Sequence, residues 1–365
     1  MTLHFYFARR FALIFLGLLG LFFLLITLID LVEQTRRHAS SGTSFGEVFG
    51  LTLLNAPAGL YQMLPLVMIL STVTLFLGLS RSSELVVTRA AGRSGLVALI
   101  APALVAVLAG VITIAVFNPI VAATSKRFNT LDERYLTGRE AVFSISSQGL
   151  WLRQADANGQ TVIRAQRAGV DGAALYDVTF LSFGADGSPE RRIEAATARL
   201  EPGAWHLQQV KLWPLAAGQN PEALAQVLPE YTVTSELTQD GIRDSFGDPS
   251  MIPIWELPAF ITQLEQAGFS ARRHAVWLHM ELARPVFFLA LLLVAAAFTM
   301  RHARSGRTGI AVLSAVLLGF GLYYIRNFAQ ILGENGQVPV VLAGWAPSIA
   351  ALLLGLGIVL HQEEA

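Results

Sequence analysis

Residues 80–94 read SRSSELVVTRAAGRS, a short charged stretch set between two runs almost free of charge, residues 59–80 and 96–118. Each flanking run is close to the roughly 20 residues that cross about 30 Å of hydrocarbon as α-helix. Arginines are expensive inside hydrocarbon, so the stretch reads as the turn of a helical hairpin, where the chain leaves a membrane and re-enters it. Within it Ser83 can cap a helix, Glu84 in the first turn complements the helix dipole, and Gly92 can end it. Val86, Val87, Ala90 and Ala91 form one apolar face, while Glu84 and Thr88 stack four apart on another. Such a helix suits docking onto a basic groove of a soluble partner. A solvated connector fits the same spacing.

The rest of the chain supports the membrane reading. Of 365 residues 53% are hydrophobic and 14% charged, well below the roughly 25% charged residues of a soluble domain, and mean hydropathy is +0.53. Six runs are long enough to span: 11–32, 59–80, 96–118, 279–300, 308–328 and 339–360. The first exceeds a signal-peptide h-region and no small-x-small cleavage site follows closely, so it is expected to stay as a helix. Pro65, Pro102, Pro285 and Pro347 inside the runs imply kinks. There are no cysteines, hence no disulfide or thiolate chemistry. Net charge is zero, and no basic block interleaves with aromatics, which argues against a nucleic-acid partner.

Lysine and arginine placement orients the spans. Arg9 and Arg10 precede the first; Arg81, Arg89 and Arg93 separate the second and third; Arg301, Arg304 and Arg307 separate the fourth and fifth. These segments and both termini are expected in the cytoplasm. Residues 127–275 then lie outside, and Arg36 and Arg37, after the first span, break the rule. That long stretch has short β-prone runs such as GLWLRQ, TVIRAQ and ALYDVTFLSF, separated by Asn158-Gly159, Asp186-Gly187 and Pro202-Gly203. In AWHLQQVKLW the apolar parity changes between Leu207 and Val210, which a bulge near Gln208-Gln209 would reconcile. An antiparallel sandwich or jellyroll-like domain is predicted. The fold class is therefore an α-helical membrane bundle of six transmembrane helices, residues 1–126 and 276–365, with an inserted all-β periplasmic jellyroll-like domain at 127–275.

No catalytic apparatus emerges. The only lysines, Lys126 and Lys211, follow Ser125 and Val210, whereas a phosphate-binding Walker loop needs glycine before its lysine. GTSFG at 42–46 matches a nucleophile-elbow pattern around Ser44, but in a short loop between spans it lacks the required α/β sheet. His279 and Glu281 are two apart and face different sides of a helix, which argues against a metal site. Charges gather at the outer end instead: Asp30, Glu33, Arg36, Arg37, Lys126, Arg127, Arg134, Glu281, Arg284 and Arg326. Glu281 and Arg284 can pair along one helix, and Arg36, Arg37 and Arg326 can be snorkelling anchors; recognition of an anionic headgroup by guanidinium is the other reading. Ala311, Ala315 and Gly319 form a small-residue stripe that suits close packing within the chain or at a subunit seam.

RSSELVVTRAAG, with Arg81, Ser83, Glu84, Leu85, Val86 and Val87, resembles the coupling helix of the LptF/LptG family of lipopolysaccharide-export permeases. The whole chain follows that layout of three spans, a periplasmic β-jellyroll and three spans. QGLW at 148–151 and LVEQTRR at 31–37 favour its LptG branch over its LptF branch. The resemblance implies an LptF-like permease as heterodimer partner, an LptB-like ATPase dimer, an LptC-like membrane-anchored periplasmic protein, and lipopolysaccharide as cargo. It implies a non-catalytic subunit in the bacterial inner membrane with no cofactor of its own, ATP and Mg being bound by the ATPase. Glu84, flanked by Arg81, Leu85, Val86 and Arg89, would couple to that ATPase. Arg36, Arg37 and Arg134 would bind the lipid headgroup, and Ala311, Ala315 and Gly319 would pack a lateral gate. Asp30 stands where relatives can carry a lysine.

Overall fold

The computed structural model describes residues 2–39, 43–90, 95–137, 143–146, 149–156, 159–168, 174–184, 186–215, 220–235, 237, 248–266, 269–300 and 308–364. Gly92, Arg93, Gln148, Asn158 and the arginines of 301–307 lie outside them. Two compact units emerge, one helical (1–138, 250–255 and 272–365) and one built on a sheet (139–249 and 256–271).

In the helical unit, α1 (Thr2–Arg37) and α2 (Phe45–Arg81) are followed by α3 (Glu84–Ala90) and α4 (Gly95–Ile112). A π-helical turn (Thr113–Phe117) then leads into α5 (Asn118–Thr137). Helix α2 begins in a capping box: Ser44 Oγ accepts from the Glu47 amide at 3.4 Å and Glu47 Oε2 accepts from the Ser44 amide at 2.7 Å. Ser44 is thus the cap of a helix, which accounts for the serine of GTSFG without any catalysis. Helix α5 runs ten residues past 127, so the sheet-containing unit begins later than the change in sequence grammar.

The sheet-containing unit supplies β1 (Phe143–Ser146), β2 (Gly149–Asp156), β3 (Gly159–Ala168), β4 (Ala174–Gly184), β5 (Pro189–Glu201), β6 (Ala204–Pro214), β7 (Gln226–Thr234) and helix α6 (Leu257–Gln266). The helical unit resumes with α7 (Arg272–Leu282), α8 (Arg284–Thr299), α9 (Thr308–Glu334) and α10 (Val340–Glu364). Among the described residues five helices are long and apolar enough to cross a membrane, and six spans result if α7 and α8, bent by 50° at their break, are one. Pro285 sits at the second position of α8, where its missing N–H costs little.

Helix α8 is apolar on every side, and nearly all of Phe287–Ala297 is buried, as expected for a helix at the centre of a bundle. Phe7, Phe11 and Phe15 of α1 and Met68, Phe76 and Leu79 of α2 share its core. Contact is closest where side chains are smallest. A Cβ on Gly110 of α4 would lie 2.5 Å from the Pro285 Cα, a backbone atom that cannot step aside.

The seven described strands form one antiparallel sheet in sequence order, each hydrogen-bonded to its chain neighbours. Jellyroll crossovers are not found among them; the connectivity is a meander. The sheet nevertheless curls, because Gln154 of β2 donates to the Thr234 carbonyl at 3.1 Å and accepts from Ser235 Oγ at 2.7 Å. One apolar face carries Ile163, Phe180, Ile193, Trp205 and Val210, with Leu264 of α6 and Phe269 packed on it. Phe180 and Trp205 meet edge to face with centroids 6.1 Å apart.

The parity change in AWHLQQVKLW proves to be a property of the whole sheet. Gln166, Asp177, Ala196, Gln209 and Pro229 make a row across β3 to β7 that the ladder skips, with the same register on both sides. Asp177 and Gln209 adopt left-handed φ values of 53° and 55°. At this crease β3, β4, β6 and β7 each present two successive residues outward, so apolar residues of opposite parity face the same core. No extra residue is inserted at Gln209; five strands bend together. Pro229, which has no N–H to give, fits a row without ladder bonds.

The glycines give a test of the helical packing. Gly110→Val is expected to lower thermal stability by about 1–3 kcal/mol through overpacking against Pro285. Gly321→Ala, where nothing lies within 4 Å of the added carbon, is expected to be neutral or stabilising by up to about 1 kcal/mol. Parallel melting curves of the detergent-solubilised variants check both.

Candidate functional site

Polar groups gather at three places in the helical unit. The first is the N-terminal end of α1. Arg10 Nη1 lies 2.8 Å from Glu84 Oε1 and donates to Tyr6 Oη at 2.6 Å, while Ser82 Oγ donates to the same carboxylate oxygen at 2.7 Å. Ser83 takes a φ of 58° and its carbonyl accepts the first bond of α3, from Val87 N at 3.1 Å. It therefore acts as a left-handed turn residue where the sequence suggests a side-chain cap. The buried face of α3 is Leu85 and Thr88; Val87 and Ala90 are exposed, so the apolar face anticipated from them is turned outward. Arg81 is exposed in the last turn of α2, and the side chains of Val86 and Arg89 lie outside the described residues. Partial desolvation pushes the Glu84 carboxyl up, but hydrogen bonds from Ser82, Arg10 and Tyr6 outweigh it and hold the group below the ordinary glutamate range.

The second place is the C-terminal end of α1. Arg36 pairs with Glu33 on its own helix at 2.8 Å, both exposed. Arg37 Nη2 lies 3.2 Å from Asp132 Oδ2 of α5, and His38 Nε2 lies 3.2 Å from Asp132 Oδ1. His38 Nδ1 is 3.1 Å from the Gln34 carbonyl. One turn further back, Asp30 Oδ1 accepts from Asn55 of α2 at 2.9 Å and from Gln34 at 3.3 Å. Asp30 and Gln34 of α1 and His38, just past its end, thus lie at i, i+4, i+8. Arg134 is exposed near the end of α5, and among the described residues no ion pair joins it to this cluster. Asp132 is not marked in the sequence, because only the fold brings α5 within reach of Arg37.

The third lies at the break between α7 and α8. Glu281 is fully buried, pairs with Arg284 and accepts from Tyr61 Oη of α2. The Arg284 guanidinium stands 4.1 Å from the Tyr61 ring centroid, a cation–π contact in a dry site. Asn118 donates to Tyr61 Oη at 3.3 Å, and its Oδ1 accepts from the Ile254 amide at 2.9 Å. It follows the π-helical turn, a feature common where helices carry function. Pro119 has no N–H to offer the Ala115 carbonyl, which accepts instead from Trp255 Nε1 at 3.4 Å. Arg326 is buried, donates to the Met280 carbonyl at 3.2 Å and packs on the Phe287 ring, so it is no snorkelling anchor. Tyr61 ties the bent span to α2 through Glu281, and Arg326 ties it to α9 through the Met280 carbonyl.

The small-residue stripe also needs correcting. Ala315 is fully buried in the chain's own core, and a Cβ on Gly319 would meet Ile69 of α2 at 2.3 Å. Ala311 is part-buried on the same side. The stripe packs inward because a helix lined with small residues is taken up by the nearest partner, here α2. The outward face of α9 carries Leu313, Leu317, Tyr324 and Phe328.

The Arg10–Glu84 tie can be measured. A double-mutant cycle with Arg10→Gln and Glu84→Gln is expected to return about 0.5–1 kcal/mol, the range for partly exposed pairs. Folding lowers the carboxyl's affinity for protons, so this contribution is complete above the ordinary glutamate value. It disappears as pH falls through the lowered folded value.

Against this geometry, comparison with known proteins is specific. The family described as "Lipopolysaccharide export system permease LptF/LptG" matches residues 5–361. A lipopolysaccharide export system permease protein LptG of Escherichia coli K12 is 22% identical over 363 residues, covering 96% of each chain. One of the same name from Haemophilus influenzae is 22% identical over 335 residues, covering 90% of each. The match takes in the long apolar helices, the inserted sheet and all three polar clusters. The chain belongs to the lipopolysaccharide export system permease LptF/LptG family.

Proposed function

We infer that this chain is a lipopolysaccharide-export permease subunit of an ATP-driven transporter, in the role of the LptG branch. The single observation that carries this reading is the family match over residues 5–361, with an acidic residue at the short α3 helix between two spans. An LptF-like permease completes the membrane dimer, an LptB-like ATPase dimer supplies the work, and an LptC-like protein joins on the periplasmic side. Both termini and α3 face the cytoplasm in this scheme, and the sheet is periplasmic. With no glycine-lysine phosphate loop in the sequence, ATP and its Mg belong to the partner.

Four steps follow. Acyl chains enter sideways between α1 of one permease and the outward face of α9 of the other. Arg36, Arg37 and Arg134 hold the phosphates, which guanidinium suits through paired N–H donors. Closure of the ATPase dimer, received through Glu84, moves α3; because Glu84 is tied to Arg10, the motion reaches α1 directly. The emptied cavity passes the lipid to the curled sheet, whose inner face leaves Leu212, Leu228 and Tyr231 only partly buried. Each buried CH₂ of acyl chain contributes about 0.8 kcal/mol, so extracting several chains needs coupling to hydrolysis.

Glu84→Ala is expected to reduce recovery of co-purified ATPase and export about tenfold, the loss of roughly 1.4 kcal/mol of docking energy, while the sheet stays folded. Undiminished values for both measurements overturn the coupling role. Arg36→Glu with Arg37→Glu is expected to abolish most photo-crosslinking of lipopolysaccharide to the outer ends of the helices; unchanged crosslinking returns these residues to anchoring.

A further inference from the structure

We propose that Asp132 is an internal competitor for the anionic headgroup: its carboxylate occupies Arg37 until a lipid phosphate displaces it, and the exchange unlatches α1 from α5. The proposal rests on the headgroup reading above and adds the regulation of that site.

The two cations at the end of α1 differ in what they hold. Arg36 is paired to Glu33 on its own helix, so an anion that takes Arg36 disturbs no contact between helices. Arg37 is paired across to α5, and its side chain is 49% exposed while that of Asp132 is 9% exposed. A ligand therefore reaches the arginine without first reaching the aspartate. The contact is a single oxygen at 3.2 Å, longer than the roughly 2.7–2.9 Å of a tight charge-assisted bond. Several guanidinium N–H groups remain for a phosphate, which brings three oxygens and more charge than a carboxylate. Burial of Asp132 opposes the exchange, so the greater charge of the phosphate has to outweigh it. His38 Nε2 lies 3.2 Å from the other Asp132 oxygen, and His38 Nδ1 lies 3.1 Å from the Gln34 carbonyl.

The consequence is that an empty site keeps α1 fastened to α5, and an occupied one frees that end of the helix. Asp132 is accordingly a positioning residue that sets both headgroup affinity and the mobility of α1.

The chain has no cysteine, so Thr35→Cys on α1 and Thr130→Cys on α5, both exposed, give unique spin-label sites in the full-length chain within its assembled complex in nanodiscs. Bis-phosphorylated lipid A is expected to lengthen and broaden the inter-label distance, and its dephosphorylated form to leave it unchanged. Asp132→Asn is expected to show the broadened distribution without lipid and to bind the phosphorylated lipid roughly three- to tenfold more tightly. A merely structural aspartate would not raise affinity when neutralised. If Asp132→Asn binds no more tightly while Arg37→Gln weakens binding, the latch is wrong and the headgroup site stands. If Arg37→Gln leaves binding unchanged, the headgroup reading falls and takes the latch with it. Failure of the unsubstituted labelled chain to respond to phosphorylated lipid, or an equal response to the dephosphorylated form, overturns the latch without any buried substitution.

Discussion

An ionised group withdrawn from water must be met by a partner, and in the helical unit that requirement fixes which helices stay together. Glu281 and Arg284 meet each other across the break between α7 and α8, Tyr61 donates to Glu281, and Asn118 donates to Tyr61. Removing either ion would leave the other buried and unpaired, a loss on the order of 3–5 kcal/mol. The bent α7–α8 span is thereby held to α2, and α8 remains the apolar centre against which the other helices pack. Backbone groups follow the same rule: where Pro119 leaves the Ala115 carbonyl without its helical donor, an indole N–H fills the place.

Ion pairs at the two ends of α1 are of another kind. Arg10–Glu84 and Arg37–Asp132 are partly open to solvent and each joins α1 to a different helix. Pairs in such surroundings contribute about 1 kcal/mol or less, which is poor glue but suits contacts that must exchange partners. The buried lock around α8 and the two more open ties at the ends of α1 therefore differ in strength.

The sheet solves a separate problem. Its strands are long, and a single period-two pattern along each would keep the sheet flat and leave half of the apolar residues on the wrong face. The crease through Gln166, Asp177, Ala196, Gln209 and Pro229 reverses parity on five strands at once. Left-handed φ values at Asp177 and Gln209 are the local strain that the bend requires. In one strand the sequence shows a local irregularity. That it lines up across the sheet is visible only when the strands are paired.

Hydropathy located the spans, because roughly 20 apolar residues have few other stable fates, and turn residues with alternating β-branched runs marked the inserted sheet. Arg36, Arg37 and Glu84 stood out as charges next to apolar helices. Their partners did not: Arg10 is 74 residues from Glu84 and Tyr61 is 220 from Glu281. No local period encodes such distances. The stripe of Ala311, Ala315 and Gly319 shows the same limit, since small residues announce a close approach without saying to which helix. What the amino-acid order determined by itself was the number of spans, the place of the inserted sheet and the short acidic helix, all set by local hydrophobicity and turn chemistry. Which charges are neutralised, which face of α9 points outward and how the strands fold over were decided by tertiary packing, because each depends on groups that meet only after the helices and strands have assembled.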